Sequence, residues 1–167
     1  LKTSASKNPT SWSPDGRFVL YFVAEPNQNT SIWALPVEGD RKPFPVVETS
    51  FNARDGQFSP DGKWIAFQSD ESGRFEVYVQ PFPGPGSRSQ ISSNGGAMVR
   101  WRDDGRELFY VGLDDRLMAV PIRPVADTLD AGTPTQLFLT RIGGAQQANS
   151  LAQYAVSRDG QRFLMNT

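Results

Sequence analysis

The sequence predicts an all-β protein built from repeats, because one short turn motif occurs four times and an apolar run follows each copy. The copies share an Asp-Gly pair, at Asp15-Gly16, Asp61-Gly62, Asp104-Gly105 and Asp159-Gly160. The intervals between successive aspartates are 46, 43 and 55 residues, close to the roughly 40–50 residues of a four-stranded propeller blade. The sequence therefore predicts a partial β-propeller of about three and a half four-stranded antiparallel blades, where a closed propeller has roughly 4–8.

Each residue type has a physical role in such a turn. Pro at the second position presets φ, Ser and Asp bind the nearby backbone, and Gly adopts the left-handed conformation without a steric clash. The first two copies read Ser-Pro-Asp-Gly and begin at Ser13 and Ser59. The third begins at Arg102 and has Asp103 in place of Pro, and the fourth has Arg158 in place of Pro. We expect these two turns to form without the prolyl constraint.

A strand is predicted directly after each turn, and a second strand after three of the turns. These segments are rich in aromatic and β-branched residues, as strands are; the first strands cover 17–22, 63–67, 107–111 and 162–165, and the second strands 31–35, 76–80 and 116–120. Each second strand runs into a proline, at Pro36, Pro81 or Pro121. Because proline cannot donate a hydrogen bond to the ladder, these prolines predict strand ends or bulges.

We interpret residues 1–167 as one propeller fragment. Its predicted blades lie near 8–50, 51–94 and 95–141, and an incomplete blade follows at 142–167. The longest interval predicts an inserted loop between Arg123 and Ser150. Because the chain begins at Leu1 without an initiator Met and ends inside the fourth blade, we interpret it as a piece of a longer protein.

Large aromatic side chains are expected to fill the gaps between the blades. We assign all four tryptophans to this packed core rather than to a ligand cage, namely Trp12, Trp33, Trp64 and Trp101, because facing sheets lie ~10 Å apart. A ring interrupted at both ends exposes strand edges and an apolar face. The sequence therefore predicts either self-association or packing against the remaining blades of a parent propeller.

Composition excludes several classes of function. Lys and Arg number 17 and Asp and Glu 18, the net charge is −1, and no basic run is present, so nucleic-acid binding is not expected. No apolar stretch reaches the ~18 residues of a membrane-spanning helix. The chain has no His and no Cys, which removes His-activated nucleophiles and thiolate or imidazole metal sites.

The remaining candidates for catalysis are adjacent carboxylates, which fall in predicted turns where acidic residues are ordinarily solvated; they are Asp70-Glu71, Asp103-Asp104 and Asp114-Asp115. We therefore predict no enzyme activity, no catalytic residue, no metal and no cofactor for this chain. The ligand or protein partner is not identified by the sequence.

A ligand site is predicted on the innermost strand of each blade, because that strand lines the central channel of a propeller. The corresponding segments are 8–12, 51–58, 95–101 and 148–156. The polar residues in or just before these segments that have enough reach to contact a ligand are Arg54, Asp55, Arg100, Gln146 and Gln147.

The repeats resemble a known family. Residues 58–66, Phe-Ser-Pro-Asp-Gly-Lys-Trp-Ile-Ala, resemble the WD40-like (PD40) repeat of TolB-type propellers. Three longer stretches, at 71–84, 101–110 and 154–164, resemble the C-terminal propeller of bacterial serine/threonine protein kinases. That resemblance implies an N-terminal kinase domain, a membrane span and an extracytoplasmic propeller that serves as a sensor or docking module. The chain itself has no HRD, DFG or Gly-rich nucleotide motif.

Three functions remain open. The first is the sensor or docking part of a receptor-type kinase, which the resemblance favours. The second is a propeller that gates a prolyl-oligopeptidase-type serine peptidase, although this chain lacks the G-x-S-x-G motif of the hydrolase domain. The third is a TolB-like periplasmic scaffold. The kinase and TolB resemblances both imply a periplasmic or cell-surface location.

Overall fold

The computed structural model describes residues 5–84, 86–125, 128–142 and 153–166, which form four antiparallel β-sheets. No helix occurs among these residues. The predicted all-β class, with several four-stranded antiparallel sheets, is confirmed. We call the sheets blades 1 to 4 in chain order.

Blades 1 and 2 are four-stranded sheets in which neighbouring strands pair in chain order. Blade 1 contains β1 (Ser6–Trp12), β2 (Phe18–Ala24), β3 (Ser31–Pro36) and β4 (Phe44–Val47). Blade 2 contains β5 (Ala53–Phe58), β6 (Trp64–Ser69), β7 (Glu76–Pro81) and β8 (Ser89–Gln90). The Ser-Pro-Asp-Gly turn joins the first strand of each blade to the second, as the sequence predicts.

Blade 3 is longer and blade 4 shorter. Blade 3 contains β9 (Ala97–Trp101), β10 (Glu107–Val111), β11 (Arg116–Val125), β12 (Thr128–Ala131) and β13 (Thr135–Leu139). Blade 4 consists of β14 (Tyr154–Val156) and β15 (Phe163–Met165). Both β12 and β13 pair with β11, so the predicted insertion begins with antiparallel strands rather than as a loop.

The prolines predicted to end strands do so in two of three cases. Pro36 and Pro81 are the last residues of β3 and β7. Pro121 instead lies inside β11, and the prediction is wrong there. Pro121 is opposite Glu107 at the end of the pairing with β10, and Ile122 begins the pairing with β12. The strand continues because it changes its partner at the proline.

Side-chain hydrogen bonds close the repeated turns. Ser13 Oγ donates to Asp15 Oδ1 over 2.6 Å and accepts from the backbone N–H of Phe18 over 2.9 Å. The turns that begin at Ser59 and Ser157 repeat both bonds. The Ser and Asp of the motif therefore hold the two arms of each hairpin at a fixed separation.

The third turn replaces the serine hydroxyl with a guanidinium. Arg102 Nε and Nη2 donate to Asp104 Oδ1 and Oδ2 over 2.8 and 2.7 Å, and Nη1 donates to Glu107 Oε2 over 3.0 Å. A bidentate arginine can thus substitute for serine because it offers donors in a planar fork.

The apolar core lies between successive blades. Leu20, Phe22 and Ile32 of blade 1 cluster with Ile65 and Phe67 of blade 2. Equivalent clusters join blade 2 to blade 3 and blade 3 to blade 4. Each blade therefore buries its apolar side chains against its neighbours, as in other stacked repeats.

Two of the four tryptophans follow this arrangement. Trp64 is buried, and Trp101 packs against the cluster between blades 2 and 3. Trp33 does not follow it, because it is only partly buried, belongs to none of the apolar clusters of the described residues and donates from Nε1 to Ser31 Oγ over 3.0 Å. Trp12 is 60% exposed, so its assignment to a packed core is wrong. Its equivalents in later blades face the preceding blade, and no blade precedes blade 1 in the described part of the chain.

Candidate functional site

The first strands of the four blades lie side by side: β1 contacts β5, β5 contacts β9, and β9 contacts β14. These inner strands carry an irregularity that the sequence does not reveal. Asp55 in β5 and Met98 in β9 have φ values of 50° and 57°, and each lies six residues before the turn aspartate. The ladder register shifts at both residues, and also between Pro9 and Ser11 in β1. Such bulges redirect side chains.

The bulge in β5 brings Asp55 to Arg100 of the next blade. Arg100 Nη1 lies 3.3 Å from Asp55 Oδ1 and 3.2 Å from Oδ2, and it also donates to the backbone oxygen of Val99 over 2.5 Å. The side chains are 6% and 21% exposed for Asp55 and Arg100 respectively. Burial raises the pKa of Asp55 above its ordinary value, although the Arg100 charge acts in the opposite direction.

Gln57 links Asp55 to blade 1 by hydrogen bonds. Gln57 Nε2 donates to Asp55 Oδ1 over 3.2 Å and to the backbone oxygen of Thr10 over 2.9 Å. Thr10 Oγ1 donates to the backbone oxygen of Gly56 over 2.7 Å. A Cβ at Gly56 would lie 3.2 Å from Ile32 Cγ2, so the inner strand approaches blade 1 closely here. Asp55 is thus positioned by three blades.

Tyr154 of blade 4 clusters with Ala97 and Met98 of β9, close in the chain to Arg100. Its side chain is buried, and its hydroxyl has no hydrogen-bond partner among the described residues. Burial raises the pKa of Tyr154, and its hydroxyl is subject to the charges of both Arg100 and Asp55. We refer to Asp55, Gln57, Arg100 and Tyr154 as the inner-strand cluster.

The other predicted site residues lie elsewhere. Arg54 Nε donates to Thr30 Oγ1 over 3.2 Å, and its guanidinium lies 5.4 Å from the centre of the Phe75 ring. Arg54 therefore belongs to a different contact region from Asp55, as expected for adjacent residues on a strand. Gln146 and Gln147 lie outside the described residues. Of the three predicted site residues that the structure describes, Asp55 and Arg100 lie together and Arg54 does not.

Gln57 and Tyr154 also belong to the cluster, although the sequence did not single them out. Both lie in segments that it assigned to inner strands, 51–58 and 148–156. Their membership of an inner strand was the available signal, but only contacts between blades show which of its polar residues meet.

The cluster can bind polar groups, because hydrogen-bond donors surround the Asp55–Arg100 ion pair. All the described hydrogen bonds of Arg100 are donated by Nη1, and the Tyr154 hydroxyl can donate one more. Among the described residues, no three His, Cys, Asp or Glu side chains are grouped so as to hold a metal ion. Nor do these residues form a helix that is long and apolar enough to cross a membrane.

No family model matches the chain. One curated relative, an uncharacterized protein of Agrobacterium fabrum, is 28% identical over 130 residues. The matched region covers 75% of this chain and 41% of that protein. The chain therefore spans less than half the length of this relative.

The fold is similar to those of solved propeller proteins. TolB from Acinetobacter baumannii superimposes with a TM-score of 0.67 at 22% identity, over 97% of this chain and 37% of that chain. Acylaminoacyl peptidase from Pyrococcus horikoshii superimposes with a TM-score of 0.52 at 16% identity, over 95% of this chain and 35% of that chain. At these identities the similarity shows the fold alone, a β-propeller of the type found in TolB. Because an enzyme shares this fold, the fold does not decide between a catalytic and a non-catalytic role.

Proposed function

We propose that this chain is a non-catalytic binding module in which a ligand or a partner segment contacts the inner-strand cluster. The observation that supports this proposal is the Tyr154 hydroxyl, which is buried without a described partner beside the Asp55–Arg100 pair. A buried hydroxyl without a partner costs roughly 1–3 kcal/mol, and such groups in native proteins call for a specific explanation. A ligand oxygen that accepts a hydrogen bond from Tyr154 would remove this cost.

The chemistry of the cluster favours an oxygen acceptor on the ligand. Tyr154 and Arg100 both offer N–H or O–H donors, whereas the Asp55 carboxylate already accepts from Arg100 and Gln57. A carboxylate or carbonyl oxygen of a peptide segment or a small organic acid meets this requirement. The Asp55 charge offsets that of Arg100, so the cluster also discriminates against strongly anionic groups.

Tyr154→Phe tests the proposal without a known ligand, because it removes only the hydroxyl. We expect the free protein to keep its stability or to gain up to about 1–2 kcal/mol, since an unpaired polar group is removed. Tyr78→Phe is the control for removal of a buried tyrosine's hydroxyl outside the inner-strand cluster, and Ser59→Ala is the reference for the loss of a buried, hydrogen-bonded hydroxyl, at about 1–3 kcal/mol. A comparable loss in Tyr154→Phe, measured by urea unfolding, would show that its hydroxyl has a structural partner and would refute the proposal.

A thermal-shift screen tests binding directly. The probes are short peptides with a free C-terminal carboxylate, the same peptides with an amidated C-terminus, and small organic acids. A ligand raises the melting temperature by mass action, and we expect that rise in the unmodified protein and in Tyr78→Phe but not in Tyr154→Phe. A rise that survives Tyr154→Phe and Arg100→Ala would place binding outside the cluster.

For the parent protein we propose the extracytoplasmic sensor or docking part of a receptor-type serine/threonine kinase. The resemblance of residues 71–84, 101–110 and 154–164 to such propellers supports this assignment, and the TolB-like fold supports a periplasmic scaffold as the second candidate. Sequencing the flanking reading frame separates them. A kinase catalytic loop and one membrane span upstream would support the kinase, and a downstream G-x-S-x-G motif would indicate a peptidase gate. If neither motif is found, the periplasmic scaffold becomes the favoured function.

A further inference from the structure

A cavity lies between blades 2 and 3, away from the inner-strand cluster. Its volume is about 490 Å³, within the roughly 300–1,000 Å³ of sites for small organic ligands. The residues that line it include none of the inner-strand cluster. Blades 2 and 3 each contact another blade on both sides, so both walls of the cavity lie inside the row of blades.

Three cross-strand neighbours of blade 3 line the cavity from its floor to its rim. Tyr110 of β10 lies opposite Met118 of β11, and Met118 lies opposite Gln136 of β13. Directly opposite residues of neighbouring strands share one face of the sheet, and all three line the cavity. Tyr110 is buried, Met118 is partly buried and Gln136 is exposed. This side of the cavity therefore offers a hydroxyl, a thioether and an amide in one row.

A loop of blade 2 forms the facing wall, and a buried carboxylate holds it in place. Glu76 is 1% exposed; its Oε1 accepts from the N–H of Gly95 over 2.8 Å, and its Oε2 accepts from Ser92 Oγ. Gly95 has a φ of +89°, and a Cβ there would overlap Leu113 Cγ. Only glycine lets the loop approach blade 3 this closely. The wall is thus ordered before any ligand binds, which lowers the cost of binding.

Tyr110 is the buried polar side chain that this cavity leaves without a partner. It is 4% exposed, and its hydroxyl takes part in none of the hydrogen bonds of the described residues. Burial raises the pKa of Tyr110 to about 12, and the charges of Glu76 and Asp114 act in the same direction. The hydroxyl therefore stays protonated at neutral pH and can donate to a ligand, whereas an anionic ligand beside it would meet two like charges.

The rim adds groups that suit a ligand with several hydroxyls. Asn94 and Gln136 are exposed amides, and each offers both donors and an acceptor. The Asp114 carboxylate, which lies 3.2 Å from Arg116 Nε, accepts only. Met118 supplies apolar surface between these polar groups. A sugar has the matching surface, because its hydroxyls both donate and accept and its ring carbons present an apolar face.

We propose that this cavity is a second binding site, which takes a neutral carbohydrate of one or two sugar units. Tyr110, Asn94 and Gln136 hydrogen-bond to sugar hydroxyls, and Asp114 accepts from another. Met118 packs against the C–H face of the ring. A purely apolar ligand would leave the Tyr110 hydroxyl unpaired, at the cost of a buried polar group.

Saturation-transfer difference NMR on the 167-residue chain tests the site. The neutral probes are glucose, galactose, mannose, N-acetylglucosamine, maltose and lactose, and the anionic probes are glucose 6-phosphate and glucuronate. We expect saturation transfer to at least one neutral sugar, and binding of the anionic probes at least about 10-fold weaker. Absence of transfer to all six neutral sugars, or tighter binding of an anionic probe, would overturn the proposal.

Two variants assign the binding to this cavity. Tyr110→Phe removes only a hydroxyl and should weaken the sugar that responds by about 10-fold, the loss of one buried hydrogen bond. Gln136→Ala is an exposed substitution, so it should weaken binding without affecting the fold. Circular dichroism checks that both variants are folded.

Two tyrosine variants serve as matched controls. Tyr78→Phe removes a hydroxyl from another buried tyrosine that does not line the cavity, and it should bind the sugar as the unmodified protein does. Tyr154→Phe should also leave sugar binding unchanged, which separates this site from the inner-strand cluster. Sugar binding that survives both Tyr110→Phe and Gln136→Ala, or that Tyr154→Phe abolishes, would refute the assignment to this cavity.

Discussion

Ser59→Ala should destabilise the protein more than Ser157→Ala, although the two hydroxyls make the same hydrogen bonds. Ser59 Oγ donates to Asp61 Oδ1 over 2.5 Å and accepts from the N–H of Trp64 over 3.0 Å. The corresponding distances at Ser157 are 2.5 and 2.9 Å. The environments differ, because Ser59 is 3% exposed and its bond to Trp64 is buried, whereas both bonds of Ser157 are exposed.

The size of the difference follows from the fate of the unpaired N–H group. In Ser59→Ala the Trp64 N–H stays buried without an acceptor, which costs about 1–3 kcal/mol. In Ser157→Ala water replaces the hydroxyl, and the loss should be about 0.5 kcal/mol. A loss of about 2 kcal/mol corresponds to a fall in melting temperature of about 4–8 °C for a chain of this length.

Urea unfolding of both variants measures the two free energies, and an unchanged m-value shows that the denatured state is comparable. Ser13→Ala serves as an internal check. Ser13 makes the same bonds at 6% exposure, so its loss should be close to that at Ser59. Equal losses at Ser59 and Ser157, or a larger one at Ser157, would refute the argument that burial governs the value of these turn bonds.

Two further predictions concern the same turns. Gly62→Ala and Gly160→Ala share a φ of +71°, but the new Cβ would lie 3.6 Å from Pro14 Cδ in the first and 2.5 Å from Arg102 Cδ in the second. Both variants should lose about 1–2 kcal/mol of unfolding free energy to strain in the left-handed backbone. Gly160→Ala should lose more than Gly62→Ala, because Arg102 must move. Equal losses in urea unfolding would contradict this prediction. The hydrogen bond from Arg102 lowers the pKa of Asp104 to about 2, from 3.8. The stability that this ionised carboxylate contributes is present above pH 3.8 and is lost as the pH falls toward 2. Asp104→Asn should therefore be less stable than the unmodified protein at neutral pH and nearly equal to it near pH 2. A difference in the free energy of unfolding that stays constant with pH, measured by urea unfolding, would exclude this linkage.

The turn chemistry could be predicted because its interactions are local. Ser13, Asp15 and Phe18 lie within six residues of one another, and Ser and Asp side chains favour such bonds wherever the chain reverses. The sequence also showed that Arg102 replaces serine in the third turn. It did not show that the guanidinium takes over the serine's bond to Asp104, because that depends on the path of a long side chain.

The candidate site could be predicted only in part. Asp55 and Arg100 were both selected from inner-strand segments, and they lie 45 residues apart in the sequence yet form one ion pair. Arg54 was selected by the same criterion and points to a different region. The difference arises from the bulge at Asp55, whose left-handed backbone turns the side chain toward the next blade. No local residue preference indicates this bulge, since Met98 forms its equivalent in β9.

The sequence by itself determined the number and spacing of the repeats, the position of each turn and the alternation that gives every blade two apolar faces. These properties depend on residues close together in the chain, where backbone preferences and side-chain periodicity act directly. The tertiary structure decided which faces are covered and which polar residues meet. Trp12 and Trp101 occupy equivalent positions in their repeats, but within the described residues only Trp101 has a preceding blade to pack against. Burial is a property of neighbours brought together by folding, so identical local sequence signals end in a packed core at one joint and an exposed surface at the other.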